Sequence, residues 1–462
     1  MSKIIAISAN SMRKITTPQI LKGGLYLTWV ATVLTLVTTI TGIQGQRHTI
    51  QTIGKDSTPS IVIAQRLKDA MAGMDANVAN ELLVPPGQNQ DAVKGYEERF
   101  KAASERLVLA AENITFGDLE RKPIQTMQLG LGEYISKIQQ ARDAHVRGDA
   151  NGSLVAYRAA SEIMDKKLLP AADELDKVNL QALEDTYNRE KLVANQALLK
   201  IFISGAILTT TLIALQLFLS YRTKRNLNPL LLVATGLSIA FLNYTAGSFL
   251  SASQQLRTAK EDAFTSMHAL RQGRAAAYIA NAAESRYLLD KALAAKHEQV
   301  FNENVIKIAK SPNGKTFEAL VAEVTANTTN NLKIGGFTGF LADELNNITF
   351  DGEKAAVLKS LTALGIYISI DQQIRQLEQS GKHQEAIALC IGSKPGQSNW
   401  AFNNFKKANA DTFDINKAEF DKAIKQAFQD IAGFEVGASV VLSAIALLVL
   451  FGLMPRLKEY SV

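Results

Sequence analysis

From Val436 to Leu453 the chain reads VGASVVLSAIALLVLFGL, 18 residues without an Asp, Glu, Lys, Arg or His. That is close to the ~20 apolar residues a helix needs to cross a ~30 Å hydrocarbon core. Three further windows have the same character, Leu25 to Ile43, Ile201 to Leu219 and Leu230 to Leu250. Four membrane spans follow. The first reads as an uncleaved anchor: its apolar stretch exceeds that of a signal peptide, and Thr41 to Gln46 offer no small-residue cleavage site.

Outside these windows the 462 residues are rich in Ala, Glu, Lys, Gln and Leu at helical spacing, so a single soluble domain is excluded. Ten Pro and 29 Gly spread along the chain exclude collagen-like and Pro/Gly low-complexity sequence. One cysteine, Cys390, excludes an internal disulfide and a Cys-rich zinc module. The fold class expected is an all-α membrane protein with four transmembrane helices and two tandem extracytoplasmic four-helix bundles.

Orientation comes from the basic residues of the short segments. Lys3, Arg13, Lys14 and Lys22 precede the first span, Arg222, Lys224 and Arg225 separate the second and third, and Arg456 and Lys458 follow the fourth. The positive-inside rule puts all three segments, and both termini, in the cytoplasm. These segments carry more positive charge than the whole chain's +6, so the remainder is slightly acidic and nucleic acid is not an expected partner. The division is 1–24 arm, 25–43 span, 44–200 bundle, 201–219 span, 220–229 basic turn, 230–250 span, 251–435 bundle, 436–454 span and 455–462 tail.

In the first bundle Ile124, Met127, Leu131, Tyr134, Ile138 and Ala141 step by three and four residues, the seam of an antiparallel bundle. Val84-Pro85-Pro86-Gly87, Asn113 to Asp118 and Arg147-Gly148-Asp149 punctuate its helices. The second bundle repeats the first. Asn113-Ile114-Thr115-Phe116 returns as Asn347-Ile348-Thr349-Phe350, Tyr134-Ile135-Ser136 as Tyr367-Ile368-Ser369, and Leu82-Leu83 as Leu288-Leu289. An extra piece, Ser311 to Phe340, belongs to the second copy alone.

Catalytic chemistry finds little support. The five histidines have no i+4 partner and no Cys pair, and no phosphate-binding loop, nucleophile elbow or kinase signature is present. Neither an enzyme nor a cofactor nor a metal site is expected. Gln216 and Asn243 are the notable polar groups inside the spans and read as interhelical hydrogen-bond partners.

Two patterns in the second copy depart from bundle filler, Glu284-Ser285-Arg286-Tyr287-Leu288-Leu289-Asp290 and Gly392 to Phe402, with its Pro395-Gly396 turn. At 1.5 Å per residue, Tyr287 lies roughly 55 Å along its helix from the third span and Gly396 roughly 60 Å back from the fourth. The two motifs are therefore expected to meet at the distal end of the bundle. Candidate ligand or partner residues are Glu284, Arg286, Tyr287, Asp290, Gln397, Ser398, Asn399 and Trp400; the plain alternative leaves Glu284 and Arg286 solvated. Arg222, Lys224 and Arg225 are candidates for a cytoplasmic partner or for anionic lipid.

These stretches also carry a resemblance. The doubled span-bundle-span layout, Glu284 to Asp290, the second Asn-Ile-Thr-Phe and Pro395 to Phe402 resemble the bacterial four-pass membrane proteins of the GlnX type. The bundles are similar in pattern to chemoreceptor four-helix-bundle sensor domains. The resemblance implies a bacterial inner-membrane relay in which an extracytoplasmic solute-binding protein is sensed outside and a soluble Ser/Thr kinase is informed inside. The alternative is a structural or scaffolding membrane protein with no sensing role. A homodimer through the bundles is compatible with either.

Overall fold

A computed structural model of the chain describes residues 16–223, 227–312, 314–327 and 333–459. Lys3, Arg13, Lys14, Lys224 and Arg225 lie outside them. Fifteen α-helices are named in chain order: α1 (Thr17–Gln51), α2 (Thr58–Leu82), α3 (Gln90–Glu112), α4 (Asp118–Val146), α5 (Ala150–Ile163), α6 (Leu169–Thr223), α7 (Pro229–Arg257) and α8 (Thr265–Leu289). The others are α9 (Ala294–Ile308), α10 (Phe317–Ala326), α11 (Phe340–Asn346), α12 (Glu353–Gln379), α13 (His383–Ile391), α14 (Ser398–Asp430) and α15 (Phe434–Glu459). Among the described residues no strand forms; a single antiparallel bridge joins Lys310 to Thr338. The protein is all-α, and four of its continuous helical stretches are long and apolar enough to cross a membrane.

The chain divides into two compact units. One comprises residues 1–51, 186–256 and 425–462 and contains all four apolar windows. Small and hydroxyl side chains line its helix contacts, as expected where lipid removes any hydrophobic drive between helices. Thr28, Thr32 and Thr35 are buried and each hydroxyl donates to the carbonyl four residues back at 2.8 Å. Thr38 meets Ser204 at 3.0 Å, Thr209 meets Ser238 at 2.8 Å, and Asn228 Nδ2 donates to the Gly452 carbonyl at 2.8 Å. Large apolar side chains such as Val30, Val33, Leu217, Val440 and Phe451 point outward. Gln216 reaches the Asn228 carbonyl at 3.3 Å, but among the described residues Asn243 bonds only its own helix, at the Ile239 carbonyl. The interhelical role expected of Asn243 is therefore corrected: a short amide four residues from a helical carbonyl satisfies itself locally.

The other unit comprises residues 52–185 and 257–424. It takes in most, not all, of the two segments read as extracytoplasmic (44–200 and 251–435), with α2 packed directly on α8 as well as on α3, and α8 also on α9, α11 and α13. The reason is composition. α2 and α8 are buried along most of their length and rich in alanine: Ala64, Ala70, Ala72, Ala76 and Ala79 on one and Ala269, Ala275, Ala277, Ala280 and Ala283 on the other are all buried. Small side chains let the two backbones approach, and a helix buried around most of its circumference needs neighbours on several sides.

The same hydrogen bonds occur twice. Asn113 Nδ2 donates to Ser60 Oγ at 2.6 Å, and Asn347 Nδ2 donates to Ser266 Oγ at 3.0 Å. Glu120 accepts from the amides of Thr115 and Phe116, each at 2.6 Å; Glu353 accepts from those of Thr349 and Phe350 at 2.8 and 3.0 Å. A π-helical turn precedes each central helix, Thr52–Ser57 before α2 and Thr258–Phe264 before α8. Asn347 also donates to the Asp262 carbonyl at 2.6 Å. Asn347→Ala should therefore cost about 1–3 kcal/mol in denaturant unfolding, whereas Thr349→Ala, which removes one exposed bond at 3.1 Å, should cost under about 1 kcal/mol.

Candidate functional site

The two sequence patterns do meet. Ser398, first residue of α14, donates to Glu284 Oε2 near the end of α8 at 2.7 Å. A left-handed Gly396 (φ +86°) makes the turn between α13 and α14. Two of the candidate amides are used up in that turn: Gln397 accepts from the Lys394 backbone at 2.9 Å, and Asn399 donates to the Ile391 carbonyl at 2.9 Å. Trp400 is half-buried.

Glu284 is wholly enclosed. Its Oε2 also receives Tyr367 at 3.4 Å and lies 4.0 Å from Cys390 Sγ, while Oε1 has no partner. Burial, reinforced by Asp371, drives its carboxyl well above the usual range. Asp371 is itself pushed up to about 6, mainly by burial, although Arg375 grips it with two bonds of 2.8 Å. Arg375 in turn lies over the ring of Tyr287, 4.4 Å from its centroid, and Tyr287 is buried.

Arg286 is buried too, which overturns the solvated reading of both residues. Its guanidinium binds Asp75 of α2, donates to Asp165 at 2.8 Å and donates to the Tyr157 hydroxyl at 3.2 Å. Asp75 is further bracketed by the hydroxyls of Tyr134 and Tyr157, each at 3.3 Å. The candidate Arg286 of one segment thus closes on two carboxylates and a tyrosine of the other. Burial still pushes the Asp75 carboxyl up against the pull of Arg286.

Asp290 caps α8 and receives Arg158 through bonds of 2.6 and 2.5 Å, which hold its carboxyl below the usual range. His297 stands 3.9 Å from Asp290 and is pushed down to about 4, first by burial and then by Arg286, so it is neutral at pH 7. Beside these groups lies a cavity of about 270 Å³, lined by Arg158, Asp165, Lys166, Arg286, Asp290 and Lys296 among others. Cations and acids share its wall, a composition that suits a small polar solute or a charged side chain of a partner. Among the described residues no three His, Cys, Asp or Glu side chains converge as a metal would require.

Residues 49–188 match the family model described as the actinobacterial sensor domain. The matched stretch runs from the end of α1 through α2 to α5 and into α6, and it supplies Asp75, Tyr134, Tyr157, Arg158 and Asp165. Comparisons with curated proteins and with solved structures each return no match. The sensor-like segment therefore provides the carboxylates and tyrosines gathered around Arg286.

None of those five residues was legible as functional from the sequence. Asp75 did carry a signal: it stands in an Ala- and Met-rich run, Ala70 to Ala76, with no basic residue three or four positions away. An acid on an otherwise apolar helix needs a cation from elsewhere in the fold. Arg222, at the end of α6, is exposed.

Proposed function

We propose that the chain is a receptor-like transmembrane relay, with termini and the 220–229 turn cytoplasmic. It senses a small solute or a solute-binding protein outside and passes the change to a separate soluble partner such as a Ser/Thr kinase. It acts by binding rather than by catalysis. The observation that carries this reading is the sensor-domain match over residues 49–188, in a stretch whose last helix, α6, continues without a break to Thr223. An unbroken helix can pass a shift of about 1–2 Å along its length without loss at a hinge. Support also comes from the Arg286–Asp75 contact, through which a change in one bundle is felt in the other, and from the paired hydrogen-bond sets, which fit an internal duplication.

Crosslinking from native membranes tests the reading. Tyr287 is buried, so the outer photo-crosslinker belongs at exposed Lys394; the inner one belongs at exposed Tyr221, which leaves Arg222 intact. Capture of a solute-binding protein at Lys394 and of a kinase at Tyr221 is the expected result. Recovery of the chain alone at both positions would replace the relay by a scaffold.

A further inference from the structure

Four helices of the extramembrane unit bring cations together with too few acids. Arg99 of α3 and Arg274 of α8 share one carboxylate oxygen, Asp69 Oδ2, at 3.5 and 3.1 Å. The other oxygen of Asp69 is buried and has no hydrogen-bond partner. Lys406 of α14 has no carboxylate within ion-pair distance among the described residues; its amine sits 5.2 Å from the Tyr278 ring centroid and 4.8 Å from that of Phe402. Arg99 lies over the same Tyr278 ring at 4.5 Å and donates to its hydroxyl. Three cations surround one tyrosine and answer to one acid.

A crevice of about 220 Å³ opens on this cluster, and Arg99, Tyr278 and Lys406 line it. Two acids, Asp91 and Glu98, and several amides complete the wall. Asn80 gives its carbonyl oxygen to Ser285 at 2.6 Å and leaves its NH₂ group without a partner, and Asn403 makes no hydrogen bond among the described residues. Close approach is possible because Gly73 faces the cluster: a Cβ there would come within 3.2 Å of both Arg99 and Tyr278. Lys406 is pushed down to about 7, by burial first and then by Arg99 and Arg274, as an amine in an electropositive pocket lacking its anion should be.

We propose that this crevice binds a small organic anion, its carboxylate seated between Arg99 and Lys406 and its polar body met by Asn80 and Asn403. Arg99 comes from the sensor-like segment and Lys406 from the second segment, so the anion bridges the two. The site is separate from the cavity beside Arg286 and stands whether or not the chain relays a signal.

Succinate and inorganic phosphate are the probes, titrated by calorimetry and by thermal melting against the full chain in detergent micelles. Succinate should bind the wild type and raise its melting temperature; Lys406→Met should weaken binding at least ~10-fold, a loss of one charge-assisted contact, and Lys406→Arg should restore most of it. Lys406→Met removes an unpaired, half-buried amine, so it should fold; its melting curve without ligand checks this. Affinity should also fall as pH rises through about 7, where Lys406 loses its proton, while Tyr278, pushed up to about 12 by burial, stays neutral; Arg99, Arg274 and Asp69 are the other charged groups of the cluster, and Asp91 and Glu98 those of the crevice wall. Preference for phosphate over succinate would reassign the anion as an oxyanion and overturn the carboxylate assignment. No binding of either probe, or equal binding to Lys406→Met, would overturn the site itself. A negative result here leaves the crosslinking test of the relay untouched.

Discussion

Replacing Arg286 by methionine should destabilise the protein by about 3–5 kcal/mol, the cost of leaving a buried carboxylate without its cation. Arg286 is 3% exposed, and Asp75, its partner on α2, is 1% exposed. Removing the guanidinium strands Asp75 between the hydroxyls of Tyr134 and Tyr157, which cannot neutralise it. The double substitution Asp75→Leu with Arg286→Met should recover most of the loss, because an apolar pair of similar volume is about as stable as a buried ion pair. Denaturant unfolding of the four proteins in one detergent gives the coupling between the two positions. A single Arg286→Met variant within about 0.5 kcal/mol of wild type would show that Arg286 is not held as described.

The second large effect is a dependence of stability on pH. Glu344 of α11 is buried against Glu353 and accepts from Asn416 at 3.1 Å, and its carboxyl is pushed up to about 8 by burial and then by the second acid. The folded chain therefore holds a proton there that the unfolded chain releases above its ordinary value of 4.5. Stability from this group is complete below that value and is lost as pH rises toward 8, by about 1.4 kcal/mol per pH unit. Glu284, raised for the same reason, adds a loss of the same sign. Glu344→Gln keeps the shape and removes the titration. Its stability relative to wild type should rise steadily between pH 5 and 8, and a difference that stays flat over that range would show that Glu344 is ionised in the fold.

The four spans, the turns at Pro85-Pro86-Gly87 and Gly148, and the long helix running into the second span were all legible, because each follows from a local rule about apolar length, proline or glycine. The pairing of the Glu284 and Ser398 stretches was legible too, since helical rise converts residue counts into height. Burial of those stretches was not. Whether Arg286 meets water or Asp75 depends on α2 docking against α8, and that contact joins residues more than 200 positions apart. The cationic crevice was still further from view: Asp69, Arg99, Arg274 and Lys406 come from four different helices, and each alone reads as an ordinary surface charge. Gln397 and Asn399 illustrate the opposite error, polar side chains beside a Pro-Gly turn that look available for a ligand and are spent holding the turn.

Cys390 makes the enclosure around Glu284 open to timing. Its sulfur lies 3.6 Å from Ser285 Oγ and 1% of the residue is exposed, while burial and the neighbouring Glu284 push the thiol well above its ordinary value. Only a thiolate in contact with solvent alkylates quickly, so a maleimide in the medium can react only with molecules in which α13 has lifted from α8. The rate of that single chemical event, followed by mass, reads out how often the end of the bundle comes apart. No engineered label is required, and because this is the chain's sole thiol, every modified molecule counts one opening.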